Sequence, residues 1–426
     1  MLRRTLGVIL VNVIVFCVLA ELLALFLFYN DTGRLFYTYQ KPYEPIAETK
    51  QSRLTGDGLH PYFGPTHRQG YPFDIPEALR ENASSPARVP TNNFGFASTH
   101  KYPFVKTSPN QFVIGMFGGS VGAWFCQVGA HRMVEDLKAN AFFKTREIVP
   151  LCLSHEGYKQ PQQLIVLAYF LTLGQQFNLV INIDGFNEVA LGSRNNEHGR
   201  DISMPSPIHI DPLLNLIDQA TLTPARVQAL ARISVDKERL NGLIDRMRRN
   251  RSAAVHVALD RYYRFTMNRY QAEVGAYDAL PSNPSASSLL LLTPPVRKRE
   301  GPGVVFGDIA NDWTRASLLM HDLLAARGVP YLHVLQPNQY FTRRTFSDAE
   351  ARVALNKDTP FKRSVENGYP ALERAAAMLA EKEQFVDGTT ALDREPGPVY
   401  EDDCCHYTDR GYEVLADLIA ERVGTN

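Results

Sequence analysis

Phe112-Val113-Ile114-Gly115-Met116-Phe117-Gly118-Gly119-Ser120-Val121-Gly122 is the stretch of the 426-residue chain whose reading decides the fold. Its first six residues form an apolar run with no polar alternation to mark a solvated face, which predicts a strand buried on both sides in a parallel sheet. The run stops at Gly118-Gly119-Ser120. Two glycines let the backbone turn sharply without a Cβ clash, so a hydroxyl is set at the carboxyl end of a central strand, where open α/β sheets place their chemistry. Ser120 is therefore the candidate nucleophile.

Working outward, residues 121–137 can be helical, which would place a helix N-terminus and its amides beside Ser120. A second strand fits 148–153 and leads into Ser154-His155-Glu156-Gly157-Tyr158. A helix over 162–173 follows, then a third strand, 179–183, that runs into Asp184-Gly185-Phe186-Asn187-Glu188. The pattern returns with a helix over 309–327 capped by Gly328, a fourth strand at 331–335 ending in Gln336-Pro337, a helix over 369–383 and a short strand at 385–387. The chain closes with Asp402-Asp403-Cys404-Cys405-His406-Tyr407 and a helix from about Asp409. Strand, helix, strand in this rhythm implies right-handed crossovers and a parallel sheet.

Between about 192 and 287 the rhythm breaks. Residues 221–277 keep helical spacing and hold 11 Lys/Arg against 5 Asp/Glu, a local charge of 11 − 5 = +6, so an inserted helical subdomain is expected. Its Arg246, Arg248, Arg249 and Arg251 could meet anionic glycan or lipid headgroups, although a charge run is more often a solvated helix face. Residues 30–110, rich in Pro, Tyr, Asn and Gly, are expected as an irregular lead packing on the main domain, which would span 111–426.

Lys+Arg and Asp+Glu balance at 45 each, so the overall field gives no reason to expect nucleic acid. The 5 cysteines show no CxxC pair and no Cys/His ligand spacing, which argues against a zinc site; neither a metal nor a cofactor is expected. Arg3 and Arg4 precede an apolar stretch, 6–29, long enough to cross a bilayer, with no small-x-small cleavage site after it. The reading is an uncleaved transmembrane anchor with everything after about Asn30 exported, and a cleaved signal peptide is its rival. Glu21 lies inside this stretch, where a carboxylate is costly unless paired or near an interface. Export would make a disulfide among Cys126, Cys152, Cys404 and Cys405 an expectation, its connectivity open.

Ser120, Asn187, Asp403 and His406 all fall at strand ends or in the last loop. A serine hydroxyl is a weak nucleophile at neutral pH and needs a base, which in turn needs an orienting acceptor. The Asp-x-x-His spacing lets Asp403 accept from His406 Nδ1–H and leaves Nε2 facing the serine; Asp402 is the rival acid, one position off that spacing. Asn187 also reads as a helix N-cap, and Asp184 as a strand-end cap.

Phe-Gly-Gly-Ser at 117–120, Gly157 after strand two, Asp-Gly-Phe-Asn-Glu at 184–188 and Asp403-x-x-His406 resemble, in order, the four blocks of the SGNH (GDSL-type) hydrolases, specifically their membrane-anchored bacterial members. The resemblance implies a three-layer α/β/α, flavodoxin-like sheet, with Ser120 as nucleophile, His406 as base and Asp403 as its partner. It also implies an oxyanion hole made by the Ser120 and Gly157 amides and the Asn187 side chain. Three functions are compatible with it: an extracytoplasmic esterase acting on an ester or an O-acylated carbohydrate or lipid, an O-acyltransferase served by a membrane acyl-donor protein, or an inert SGNH-like binding protein.

Overall fold

The computed structural model describes residues 2–38, 57–75, 88–214, 223–277, 280, 299–357, 359–382 and 384–424. The chain divides into two compact units, 1–53 with 214–290, and 54–213 with 291–426.

The second unit is built on five parallel strands, β1 (Gln111–Gly118), β2 (Glu147–Cys152), β3 (Leu179–Asp184), β4 (Tyr331–Leu335) and β5 (Gln384–Asp387). Their spatial order is β2-β1-β3-β4-β5, the flavodoxin-like winding, whose direction reverses between β1 and β3. Every residue of β1 is buried, as its unbroken apolar run demands. Alternate side chains enter opposite cores: Phe112, Ile114 and Met116 join one, Val113 and Phe117 the other.

Helices cover both faces, so the fold is the expected three-layer α/β/α. The first core takes side chains from α1 (Ser120–Val128), α2 (Ala130–Lys138), α4 (Phe186–Glu197), α5 (Pro302–Ala325), α7 (Pro360–Ala380) and α8 (Asp409–Gly424). The second takes Val166, Leu167 and Phe170 from α3 (Gln162–Thr172), together with Phe63, Phe96 and Tyr102 from the lead. A short helix, α6 (Asp348–Ala354), follows β4. The helix expected over 121–137 is divided at Gly129. Within the lead, expected as irregular, antiparallel pairing joins 57–60 with 64–67 and 72–74 with 88–90. Strands of three or four residues are too short to show a period in sequence.

In the first unit, helix Leu2–Thr32 is apolar over Thr5–Asp31, with a mean hydropathy of 2.8 across its most apolar 18 residues, and is long enough to cross a membrane. Helices Pro224–Arg249 and Ala253–Tyr277 pair through Ile233, Leu240, Tyr270 and Tyr277. Glu21 has partners here. Its carboxylate accepts from Ser252 Oγ (2.6 Å), the Ala253 and Ala254 amides (2.5 and 3.1 Å) and Tyr37 OH (2.7 Å), and so caps the N-terminus of helix Ala253–Tyr277. Arg246, Arg248, Arg249 and Arg251 are exposed at the turn between the paired helices.

Candidate active site

β1 delivers Ser120 to the first turn of α1, where its amide has no intrahelical acceptor and lies at the positive end of the helix. The loop between β5 and α8 delivers His406, whose Nε2 lies 2.8 Å from Ser120 Oγ. Both side chains are only partly buried. The base and the hydroxyl therefore meet at the carboxyl end of the sheet, next to the β1/β3 reversal.

The acid at His406 is Asp402, which corrects the expectation for Asp403. Asp402 Oδ2 lies 2.6 Å from His406 Nδ1, while Oδ1 accepts the amides of Cys404 (2.9 Å), Cys405 (3.0 Å) and His406 (3.2 Å). This is the capping habit of aspartate: its short side chain turns back onto amides two to four residues ahead and winds the loop so that the imidazole comes over the free oxygen. Asp403, one residue on, faces the other way, and its carboxylate accepts from Asn356 Nδ2 at 2.7 Å. Burial acts to raise the Asp402 pKa, but the hydrogen bond and charge of His406 and the loop amides outweigh it and hold the group below its ordinary value.

Three consecutive residues after β4 clamp this loop from behind. Asn338 Nδ2 donates to the Cys404 carbonyl (3.1 Å), Gln339 Nε2 to the Asp402 carbonyl (3.0 Å) and Tyr340 OH to the Asp403 carbonyl (2.9 Å). Nothing in the sequence marked this clamp beyond a polar segment after a strand, because its partners lie more than sixty residues away. Cys404 and Cys405 are free thiols with sulfurs 3.1 Å apart, and the disulfide joins Cys126 to Cys152 instead.

The loops after β2 and β3 meet beside Gly119. Asn187 Nδ2 donates to the Tyr158 carbonyl at 2.8 Å, and a Cβ on Gly119 would fall 2.1 Å from that nitrogen, so only glycine lets the amide come this close to the serine turn. Asn187 is inside α4, whose N-cap is Gly185, so it does not act as the cap. Gly157 lies one residue before Tyr158 in a positive-φ turn (φ +75°) with the His209 ring packed against it. Glu188 fastens the two loops together: Oε1 accepts the Gln160 amide (2.9 Å) and Oε2 the Gly185 amide (2.8 Å). The structure thus brings Ser120 together with His406, and Asn187 with the Gly157–Tyr158 turn, and directs Asp403 elsewhere.

Asp184 is buried at the end of β3 and accepts from Trp313 Nε1 (2.7 Å) and Asn182 Nδ2 (2.7 Å), with His333 Nε2 at 2.8 Å. It takes part in a packed, buried polar network with Asn182, Trp313 and His333.

No family model matches the chain, and no curated protein matches it. Among solved structures it is similar to a lipase/acylhydrolase from Enterococcus faecalis (12% identity, 74% of this chain and 96% of that one, TM-score 0.31). It is also similar to a GDSL-like lipase from Bacteroides thetaiotaomicron (13% identity, 74% and 89%, TM-score 0.32).

Proposed function

We propose that the chain is an SGNH-type serine hydrolase that cleaves an ester or O-acyl group through an acyl-serine intermediate. The observation that carries this reading is the continuous relay Ser120 Oγ, His406 Nε2, His406 Nδ1, Asp402 Oδ2, with contacts of 2.8 and 2.6 Å. Because Asp402 stays ionised, it holds the imidazole proton on Nδ1 and leaves the Nε2 lone pair facing the hydroxyl. As Ser120 Oγ attacks the acyl carbon, its proton passes to Nε2, and the imidazolium that forms is stabilised by Asp402. His406 then returns the proton to the leaving alkoxide. The second half-reaction repeats these steps with water. The Ser120 amide, the Asn187 side-chain amide and the Gly157 turn are the donors offered to the tetrahedral oxyanion.

Helix Leu2–Thr32 would tether the enzyme to the membrane with the site on the extracytoplasmic side. The Cys126–Cys152 disulfide supports an oxidising compartment, and O-acylated carbohydrate or lipid is the substrate class that compartment offers. Turnover of p-nitrophenyl acetate by the purified full chain tests the chemistry. The wild type is expected to release acetate and Ser120→Ala to fall to the uncatalysed rate. Equal rates in the two would reject the reading, and acyl transfer to an added oligosaccharide in preference to water would assign a transferase instead.

A further inference from the structure

Beside the Ser120 site, the lead hairpin and the loop after β2 bring three chemistry-bearing side chains to one point. His67, at the end of the 64–67 strand, places Nε2 3.2 Å from Glu156 Oε2, and His155 Nδ1 lies 3.6 Å from the same oxygen. One ligand atom from each of His67, His155 and Glu156 lies within 4.8 Å of the others. The two imidazole rings are 4.5 Å apart between centroids.

Hydrogen bonding alone leaves this group incompletely satisfied. His155 is 5% exposed, and among the described residues its Nε2 has no hydrogen-bond partner. A buried imidazole nitrogen without a partner is uncommon and calls for an explanation. His155 Nδ1 lies 3.0 Å from the Glu156 carbonyl oxygen, which can only accept, so the proton sits on Nδ1 and the unpartnered Nε2 is the nitrogen left for a ligand. Two imidazoles and one carboxylate form a donor set suited to a borderline divalent cation. Ligand atoms at Zn–N and Zn–O bond lengths in a tetrahedron are about 3.3 Å apart, close to the 3.2 Å between His67 Nε2 and Glu156 Oε2. His67 and Glu156 side chains remain 12% and 30% exposed, which leaves solvent access for a further ligand.

We propose that His67, His155 and Glu156 form a zinc-type divalent cation site that ties the lead hairpin to the loop carrying Gly157. The ligands could not be found from spacing, because His67 and Glu156 are 89 residues apart and only the fold brings them together. The site stands independently of the hydrolase reading, since its test is metal binding.

The test uses the untagged full chain in detergent, stripped with a chelator, dialysed and titrated with Co²⁺. The expected result is one equivalent bound with the visible absorption of a low-coordinate cobalt ion, displaced by one equivalent of Zn²⁺. Removing a group that only hydrogen-bonds a metal ligand already costs about 10–100-fold in metal affinity, so loss of a ligand in Glu156→Gln or His67→Ala should weaken binding by at least about 100-fold. Circular dichroism checks that both variants are folded, and Glu156→Gln keeps the side-chain shape should His67→Ala fail. Absence of a cobalt band in the wild type, or equal binding in a folded Glu156→Gln variant, would overturn the proposal.

Discussion

Two chains of serine, histidine and aspartate run through the same unit. One links Ser120, His406 and Asp402. The other links Ser317 in α5, His333 in β4 and Asp184 at the end of β3, with Ser317 Oγ 2.7 Å from His333 Nδ1 and His333 Nε2 2.8 Å from Asp184 Oδ1. By residue type and distance they are nearly interchangeable. Ser317 and His333 are fully buried and Asp184 is 2% exposed, whereas the His406 and Asp402 side chains are 23% and 37% exposed. The buried chain also engages Tyr331 OH and Trp313 Nε1, the marks of a satisfied network that specifies a core. The difference teaches that a triad is identified by access, by its place at the carboxyl end of the sheet and by oxyanion donors beside the serine.

Several substitutions can break or sharpen that contrast. The largest effect is expected from Asp402→Asn, which should lower kcat by about 10³–10⁴-fold by favouring the wrong tautomer of His406, while Asp403→Asn stays within about tenfold of wild type. Ester hydrolysis rates of the two variants, compared side by side, check this. Asn187→Ala removes one oxyanion donor and should cost about 10²–10³ in kcat with KM little changed, read from saturation curves.

On the buried side, Ser317→Ala leaves His333 Nδ1 without its serine partner and should destabilise the fold by about 1–3 kcal/mol in denaturant titrations, with esterase activity kept in the folded protein. The smallest effect concerns acid. The folded pKa of Asp402 is depressed, so its stabilising contribution is complete above the ordinary carboxyl value of about 3.9 and disappears as pH falls through the lower folded value. The stability gap between wild type and Asp402→Asn should accordingly be flat near neutrality and close below about pH 4. It should be small throughout, because solvent screens the partly exposed pair.

Much of this contrast was legible in the sequence. Fully buried strands write themselves as continuous apolar runs, so β1, β3 and β4 were visible, and with them Ser120 and Asn187 at their ends. His406 was visible because it follows two aspartates in the last loop. The choice between Asp402 and Asp403 was not, because three amides converging on Asp402 decide it, and a one-dimensional spacing favours the wrong residue. The Asn338–Tyr340 clamp and the His67/Glu156 contact were hidden for a different reason: each joins segments more than sixty residues apart whose side chains carry no period. The buried triad shows the reverse hazard. Its Asp184 stands at a strand end just as Ser120 does, and the sequence does not tell the two apart.

The most direct measurement is intact-mass and peptide mapping after treatment of the purified full chain with a fluorophosphonate. A single adduct on Ser120, absent in Ser120→Ala and retained in folded Ser317→Ala, is the predicted result. An adduct that survives Ser120→Ala, or no adduct on the folded wild type, would contradict the assignment of Ser120, His406 and Asp402 as the catalytic relay.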